Sequence, residues 1–436
     1  MAIYEQAMYN TLQGRFLAYS MDIRLPGLVM SRFADHFEPI MLIFVPLYVL
    51  WATPLWFLLA QVLTVASGAI PVGRIARQLC GSDVAGLAFA VVYLLQPGVH
   101  VALGFEFHPV VMAAPLILWG LYYALNDQRV PASAAFLCAI ACKENVAATI
   151  FIVGLYVAWK RNPRYGLVLS AAALIWAVVA LKLVIPWCSP TGQSFYSGIL
   201  DDPRRAALAQ GGAAAEVFVI ARAEYVLEIL GPVAAVCVLA PAALSLSGAE
   251  MVLHLLSGNP WMTRVTAHYH VTILVGVILG AAGGLAWLSR MLARRLSRHE
   301  GVGNRINPAL VIGFTVASLY FIAHRPGLVQ DVSMDWFRLP DSEVRAVHQL
   351  MQRVPDDAPL LVNTGGLASH LARREYLLFR FQPGECNANV FKGYRTVDYV
   401  LLECTMSDAA AEMLSREYGL RLIGHRGEYW LWKVDH

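Results

Sequence analysis

Residues 131–160 read PASAAFLCAIACKENVAATIFIVGLYVAWK, and the middle of that stretch decides how the chain is built. Lys143, Glu144 and Asn145 interrupt a run that is apolar on both sides. The chain has 436 residues, 58% of them hydrophobic and 14% charged, where ordinary soluble domains carry about 25% charged. Further apolar runs recur over the first three-quarters, several near the roughly 20 residues that span a bilayer. The composition therefore defines a mainly α, polytopic membrane protein. The net charge of +3 is small, and the arginines gather at the ends of apolar runs. They read as orientation signals rather than as a surface for nucleic acid.

Spans are expected near 55–78, 84–97, 109–125, 131–142, 145–159, 165–187, 229–243, 244–257, 271–289 and 308–325. Basic groups mark one set of ends: Arg74 and Arg77; Arg129; Lys160, Arg161 and Arg164; and Arg290, Arg294, Arg295 and Arg298. Short cytoplasmic loops collect Lys and Arg, so these groups belong on one side, the inner. An even number of crossings then separates Arg129 from Lys160, yet about 29 residues cannot make two full crossings at 1.5 Å per residue. The economical solution is a hairpin of two short helices with Lys143–Asn145 at its tip, packed in protein or lining a wet cavity. The run PIMLIFVPLYVLW (39–51) is about 20 Å long as a helix and reads as juxtamembrane or re-entrant.

The same side-counting puts 98–108, 188–228 and everything after 326 outside. Arg204 and Arg205, in DDPRRAALAQ, read as solvated surface. From Asp341 the pattern changes to SEVRAVHQLMQRV, PLLVN, EYLLF, DYVLLE, SDAAAEMLSREYG, RLIGH and EYWLWKV, separated by turn signals. This is a small α/β domain outside the membrane. The parts are then 1–53 as outer juxtamembrane helices, 54–325 as the transmembrane bundle with outer loop 188–228, and 326–436 as the extracytoplasmic domain. Of seven cysteines, none shows metal-ligand spacing; Cys386 and Cys404 lie where an oxidising compartment would let them pair. The N-terminal MAIYEQAMYNTLQGRF reads as an amphipathic helix closed by Gly14, with no signal peptide.

Sorted by side, the polar residues collect on the outer face: Arg32, Asp35, His36 and Glu38 in SRFADHFEPI; Glu106 and His108 in GFEFHPV; Lys143 and Glu144; His268, Tyr269 and His270 in TAHYHV. A charge at a helix centre costs roughly 2.5–3.5 kcal/mol on insertion scales, so such groups face a bundle interior or cavity. Clusters of one depth and one sidedness imply a shared hollow open to the outside. Its mixture of cations, imidazoles and carboxylates suits a phosphorylated, hydroxyl-rich substrate. Each cluster also has a bland reading: Lys143 and Glu144 neutralising each other, Asp35 capping a helix, the histidines as interfacial hydrogen-bonders, 106–108 as an ordinary loop.

AIYEQAMYNTLQGRF, DHFEPIMLIFVPLY, FEFHPVVMAAPLIL, KENVAATIFIVGLY and HLLSG…HYH together resemble the serial blocks of domain-of-unknown-function family 2079. That family comprises predicted prokaryotic membrane proteins similar to the GT-C superfamily of polyprenyl-phosphate-sugar-dependent glycosyltransferases. The resemblance covers nearly the whole chain, including its outer domain. It implies a GT-C-like bundle in the cytoplasmic membrane, moving a sugar from a polyprenyl-phosphate donor to a cell-envelope glycan, lipid or protein acceptor. It also implies a first span and an Asp just ahead of AIYEQ, a place at or before Met1 here. Catalytic carboxylates are then sought among Glu5, Asp35, Glu106 and Glu144, and substrate contacts among Arg32, His36, His108, Lys143, His268 and Tyr269. Glu106 and His108 are the residues offered to a divalent metal, Mg or Mn. P-loop, zinc-protease and dinucleotide motifs are absent. A transporter and a non-catalytic membrane scaffold remain as alternative functions.

Overall fold

The computed structural model describes residues 1–22, 24–194, 211–296, 306–324, 342–380, 382, 384 and 389–436. Arg204, Arg205, Arg298 and Cys386, and with it any pairing of Cys386 and Cys404, lie outside the described residues.

Among the described residues four helical stretches are long and apolar enough to cross a membrane: Leu55–Cys80, Asp83–Gly104, Pro163–Cys188 and Tyr269–Arg295. Shorter apolar helices are Pro39–Leu50, Pro109–Leu125, Arg129–Ile140, Val146–Lys160, Pro241–Leu256 and Pro308–Ala323. The stretch Tyr269–Arg295 is mostly buried and forms the bundle's axis, whereas Pro163–Cys188 is mostly unburied. Leu167, Val168, Leu174, Ile175 and Trp187 project from the latter into the surroundings, as lipid-facing side chains do.

Small residues let these helices meet closely. A Cβ placed on Gly166 would lie 2.3 Å from the Ala158 nitrogen, and one on Gly154 would lie 2.3 Å from Ser170 Oγ. Val146–Lys160 and Pro163–Val178 therefore pack backbone to backbone, which apolar solvent alone does not drive.

Arg129–Ile140 and Val146–Lys160 form the expected short hairpin, its tip at 141–145. The backbone N–H of Ile40 donates to Ala141 O at 3.0 Å, tying the tip to the start of the 39–50 segment.

Two expectations are corrected. The stretch 229–243 is not one crossing helix: a helix runs Ala213–Leu230, inside the supposed loop 188–228. The chain then folds through 3-10 turns at Gly231–Val233 and Val236–Leu239, with Ala234 and Ala235 at positive φ. Gly231-Pro232 starts this break, because proline cannot supply the N–H that helix continuation needs.

The N-terminal helix Ala2–Leu12 is likewise not an interfacial amphipathic helix. Tyr4, Ala7 and Met8 join the bundle core, while Ala2 packs with Val347, Leu350 and Leu360 of the C-terminal part. Gln6 Nε2 donates to Arg374 O at 3.1 Å. The helix is a wedge, buried on both faces.

The C-terminal part follows the sequence pattern closely. With β1 (Ala18–Tyr19) and β2 (Met30–Ser31) forming an antiparallel ribbon near the N-terminus, the later strands are β3 (Leu360–Val362), β4 (Leu377–Phe379), β5 (Tyr399–Glu403), β6 (Leu420–Arg426) and β7 (Tyr429–Val434). They form one mixed sheet in the order β4-β3-β5-β7-β6, parallel across β4-β3-β5 and antiparallel thereafter. Helix Asp408–Tyr418 starts at Ser407, whose hydroxyl accepts from Ala410 N, and stops at Gly419 with φ 63°. The ribbon's Tyr19, Met21 and Met30 pack into this domain's core. The sheet domain thus caps the bundle through the first thirty-odd residues rather than hanging from a linker.

Candidate functional site

The tip residues separate their side chains. Glu144 reaches sideways: its Oε1 lies 2.8 Å from His36 Nδ1, and its Oε2 accepts the Phe37 N–H at 2.9 Å. Asn145 Nδ2 donates to Glu250 Oε1 at 2.9 Å, and Glu250 Oε2 lies 3.7 Å from His254 Nε2. Lys143 makes no ion pair among the described residues. Its ammonium lies 5.8 Å from the centroid of the Tyr269 ring. The expectation that Lys143 and Glu144 neutralise each other is therefore not how either side chain is used.

Beside the tip, the loop between β1 and β2 and the turn after β2 build a network of paired charges. Arg24 meets Asp22 at 2.5 Å and Asp35 at 2.7 Å. Arg32 meets Asp35 at 2.5 Å and Glu38 at 3.0 Å, and donates to Tyr4 Oη at 3.3 Å. Burial would raise the Asp35 pKa, but the neighbouring His36, Arg32 and Arg24 overcome it and hold the carboxyl far below its usual range. Glu144 is lowered in the same way: burial opposes ionisation, and His36 and Lys143 outweigh it.

The third wall is the loop before Pro109. Glu106 adopts φ 84°, a conformation a non-glycine residue keeps only when its surroundings fix it. Gln61 does so: its Nε2 donates to Glu106 O at 3.3 Å and its Oε1 accepts from His108 N at 2.9 Å. The Glu106 carboxylate pairs with the Met1 amino group and remains 58% exposed. The His108 and His268 rings stack at 3.7 Å with 17° between planes, and His268 stacks on Tyr269 at 4.4 Å. Burial first, then neighbouring positive charge, keeps both imidazoles neutral. Each Nδ1 is buried without a hydrogen-bond partner among the described residues.

These walls enclose a cavity of about 590 Å³ lined by Arg32, Asp35, His36, Glu106, His108, Lys143, His268 and Tyr269. Gly365, Ala368, Ser369 and Phe379 of the C-terminal domain roof it. A second cavity of about 540 Å³ adjoins it, with His36, Lys143, Asn259 and Tyr269 in the common wall. It runs past Leu181, Lys182 and Pro186 of the sparsely buried Pro163–Cys188 stretch, opposite Leu253 and Met262. Glu144 lines this second cavity and not the first.

Of the residues singled out from sequence, Glu5 lines neither cavity. It is buried, accepting from Arg373 Nε at 2.8 Å and from Tyr48 Oη at 3.5 Å. It ties the N-terminal wedge to the C-terminal domain. His270 is also outside, its ring against Gly98. Among the described residues no three His, Cys, Asp or Glu side chains converge as metal ligands. Of the two residues offered to a metal, the Glu106 carboxylate lies against the Met1 amino group and the His108 ring stacks on His268. Sequence reading passed over Asp22, Arg24, Glu250 and His254. Glu250 and His254 were detectable, being ionisable residues four apart in the apolar run GAEMVLHLL. Asp22 and Arg24 sit in a loop with no such contrast.

The bundle, its polar cavity at one end of the helices and the α/β cap define a polytopic membrane protein of GT-C-like fold. The chain belongs to the family described as predicted membrane protein (DUF2079), which matches residues 1–431. The fold is similar to the crystal structure of ArnT from Cupriavidus metallidurans in the apo state: TM-score 0.52 at 15% identity, covering 99% of this chain and 92% of that one. No curated protein matches the sequence.

Proposed function

We propose that this chain is a glycosyltransferase that takes a sugar from a polyprenyl-phosphate donor and passes it to an acceptor outside the cytoplasmic membrane of a prokaryotic cell. The observation that carries the reading is Lys143. It is a half-buried cation with no ion pair among the described residues, in the wall common to a charged cavity and an apolar-sided one. A lone ammonium there suits a lipid phosphate, with the isoprenoid chain along Leu181, Pro186, Leu253 and Met262 and the sugar on the charged side. GT-C-like topology supports the same reading at the level of fold.

In this scheme Arg32 and Asp35 build the wall instead of contacting substrate, because each is already saturated by the other and by Arg24, Glu38 and Tyr4. Lys143 stabilises the negative charge that grows on the departing phosphate. The neutral imidazole of His268 and the Tyr269 ring flank it. The basic ends at Arg74, Arg77, Lys160, Arg161 and Arg294 lie on helix ends opposite the cavity, which supports a cytoplasmic location for those ends and an extracytoplasmic one for the C-terminal domain.

The test is turnover. Full-length protein in lipid nanodiscs is given an undecaprenyl-phosphate-linked hexose and an envelope extract as acceptor source, and free undecaprenyl phosphate is measured. Release that depends on the protein and on the extract supports the proposal. A protein that binds neither the donor nor undecaprenyl phosphate refutes it.

A further inference from the structure

We propose that the groove between helices Ala69–Cys80 and Asp83–Leu95 binds one anionic phospholipid, with Arg74 as the contact to its phosphate. The site lies at the basic ends of the helices, opposite the two cavities described above. It does not depend on the glycosyl-transfer reading.

Helical spacing builds the groove. Ile70, Gly73, Arg74 and Arg77 fall on one face of the first helix, and Asp83, Gly86, Leu87 and Ala90 on one face of the second. Gly73 and Gly86 form its floor: a Cβ on Gly86 would lie 2.8 Å from Gly73 O, and one on Gly73 would lie 3.0 Å from Gly86 O. The helices therefore touch backbone to backbone, and the flanking side chains stand as walls around about 330 Å³. Those walls are graded. Ile70, Leu87 and Ala90 lie farther from the turn at Gly81, Arg77 and Asp83 lie beside it, and Arg74 lies between. Ile70 and Leu87 are exposed although both belong to stretches apolar enough to span a membrane. Side chains so placed face lipid chains.

Charge decides the occupant. Arg74 has no ion pair among the described residues. Its guanidinium lies 5.2 Å from the centroid of the Tyr122 ring and 5.9 Å from that of Trp119, both on helix Ala113–Leu125. The rings steady the cation and use none of its five N–H donors. Arg77 Nε meets Asp83 Oδ1 at 2.7 Å, but both side chains are largely exposed, and an exposed pair of this kind holds weakly. Two guanidiniums against one carboxylate leave one positive charge over. A phospholipid with a single phosphate and no compensating cation matches that surplus, as basic pockets between spanning helices do for anionic head groups. A zwitterionic head group brings its own cation, and a free phosphate leaves the apolar half of the groove unused.

The experiment uses the full chain in detergent micelles, titrated with phosphatidylglycerol or phosphatidylcholine. Native mass spectrometry counts bound lipids, and thermal unfolding is measured on the same samples. Wild type is expected to hold one phosphatidylglycerol about tenfold or more tighter than phosphatidylcholine. Arg74→Gln should raise the phosphatidylglycerol Kd about fivefold or more, the worth of one basic residue against an anionic lipid. Asp83→Asn should lower that Kd about twofold or more, because Arg77 is released to the phosphate; a merely structural ion pair gives no such tightening. Lys160→Gln is the control. Lys160 is another cation over an aromatic ring, 3.7 Å from the Trp159 ring centroid, on a basic end outside the groove, and its loss should change Kd less than about twofold. Equal wild-type affinity for the two lipids overturns the proposal, as does an unchanged Kd in Arg74→Gln or a weakened one in Asp83→Asn. A loss in Lys160→Gln as large as in Arg74→Gln does the same, as does displacement of the lipid by glycerol phosphate. Lipid that leaves as dimers form gives the groove to a second copy of the chain and overturns it too. Should Arg74→Gln fail to fold, the wild-type lipid preference and Asp83→Asn decide.

Discussion

Replacing Lys143 by methionine separates a ligand-binding cation from a structural one. An ammonium about 4 Å from a phosphate anion gains about 4 kcal/mol at an effective dielectric of about 20. Loss of water from both groups reduces this to about 1.5–3 kcal/mol, the usual net worth of a hydrogen bond to a charged group. Lys143→Met should therefore raise the Kd for undecaprenyl phosphate about 10- to 150-fold. The structure also bounds the cost to the fold. No carboxylate is paired with Lys143 among the described residues, so its loss strands no buried charge. The contact with the Tyr269 ring, at 5.8 Å, is worth about 1 kcal/mol or less. Methionine keeps the unbranched stem, and stability should stay within about 1 kcal/mol of wild type. The assay is titration of the lipid into protein in nanodiscs, with thermal unfolding measured on the same samples. A folded variant whose Kd moves less than about twofold would refute the reasoning, as would a stability loss above about 3 kcal/mol.

Three further outcomes are expected. Glu5→Gln should lower thermal stability modestly, by about 1 kcal/mol, because Arg373 is 52% exposed and solvent screens the pair; undecaprenyl phosphate binding should stay within about twofold, and a large binding loss would return Glu5 to the site. Gly166→Leu should cost about 3 kcal/mol or more, since even its Cβ meets the Ala158 backbone at 2.3 Å, and folded yield with thermal unfolding reads this directly. Acidification should destabilise the protein: with His108 and His268 held below the ordinary imidazole pKa, the unfolded chain binds protons first. Their contribution is present above about pH 6.5 and is lost below it at up to about 2.7 kcal/mol per pH unit for two protons, so an unfolding temperature flat between pH 7 and 5 would contradict the burial of these rings.

Much of this architecture is visible in the residues because membrane physics leaves few options. A Lys-Glu-Asn triplet inside an apolar run too short for two crossings forces a hairpin with a protected tip, and Arg129–Ile140 and Val146–Lys160 make one. Short apolar strand-like runs in DYVLLE and EYWLWKV, with Ser407 and Gly419 bracketing a helix, mark the C-terminal domain just as directly. What escapes is information that only long-range packing supplies. The apolar stretch 229–243 looks like a span because composition does not record that Ala234 and Ala235 turn back against the axial helix. Glu5 looks like a cavity residue because an ionisable group in a buried helix reads alike whether its partner is a substrate or Arg373, some 370 positions away.

Depth in the membrane zone therefore does not by itself separate chemistry from scaffolding, but the state of pairing does. Asp22, Arg24, Asp35, Arg32 and Glu38 form a chain in which each charge meets an opposite one, and removing Arg24 or Arg32 takes the ion pair from Asp22 or Glu38. Such a set holds the first forty residues against the bundle and has little capacity left for a ligand. Lys143 stands outside it, and His36 links it to the hairpin tip, with Nε2 4.0 Å from Asp35 Oδ2 and Nδ1 2.8 Å from Glu144 Oε1. A ligand that brings one negative charge would give Lys143 the opposite charge it has not met among the described residues. The common wall of the two cavities is where the protein's own charges stop cancelling, and it is there that substrate has a physical reason to bind.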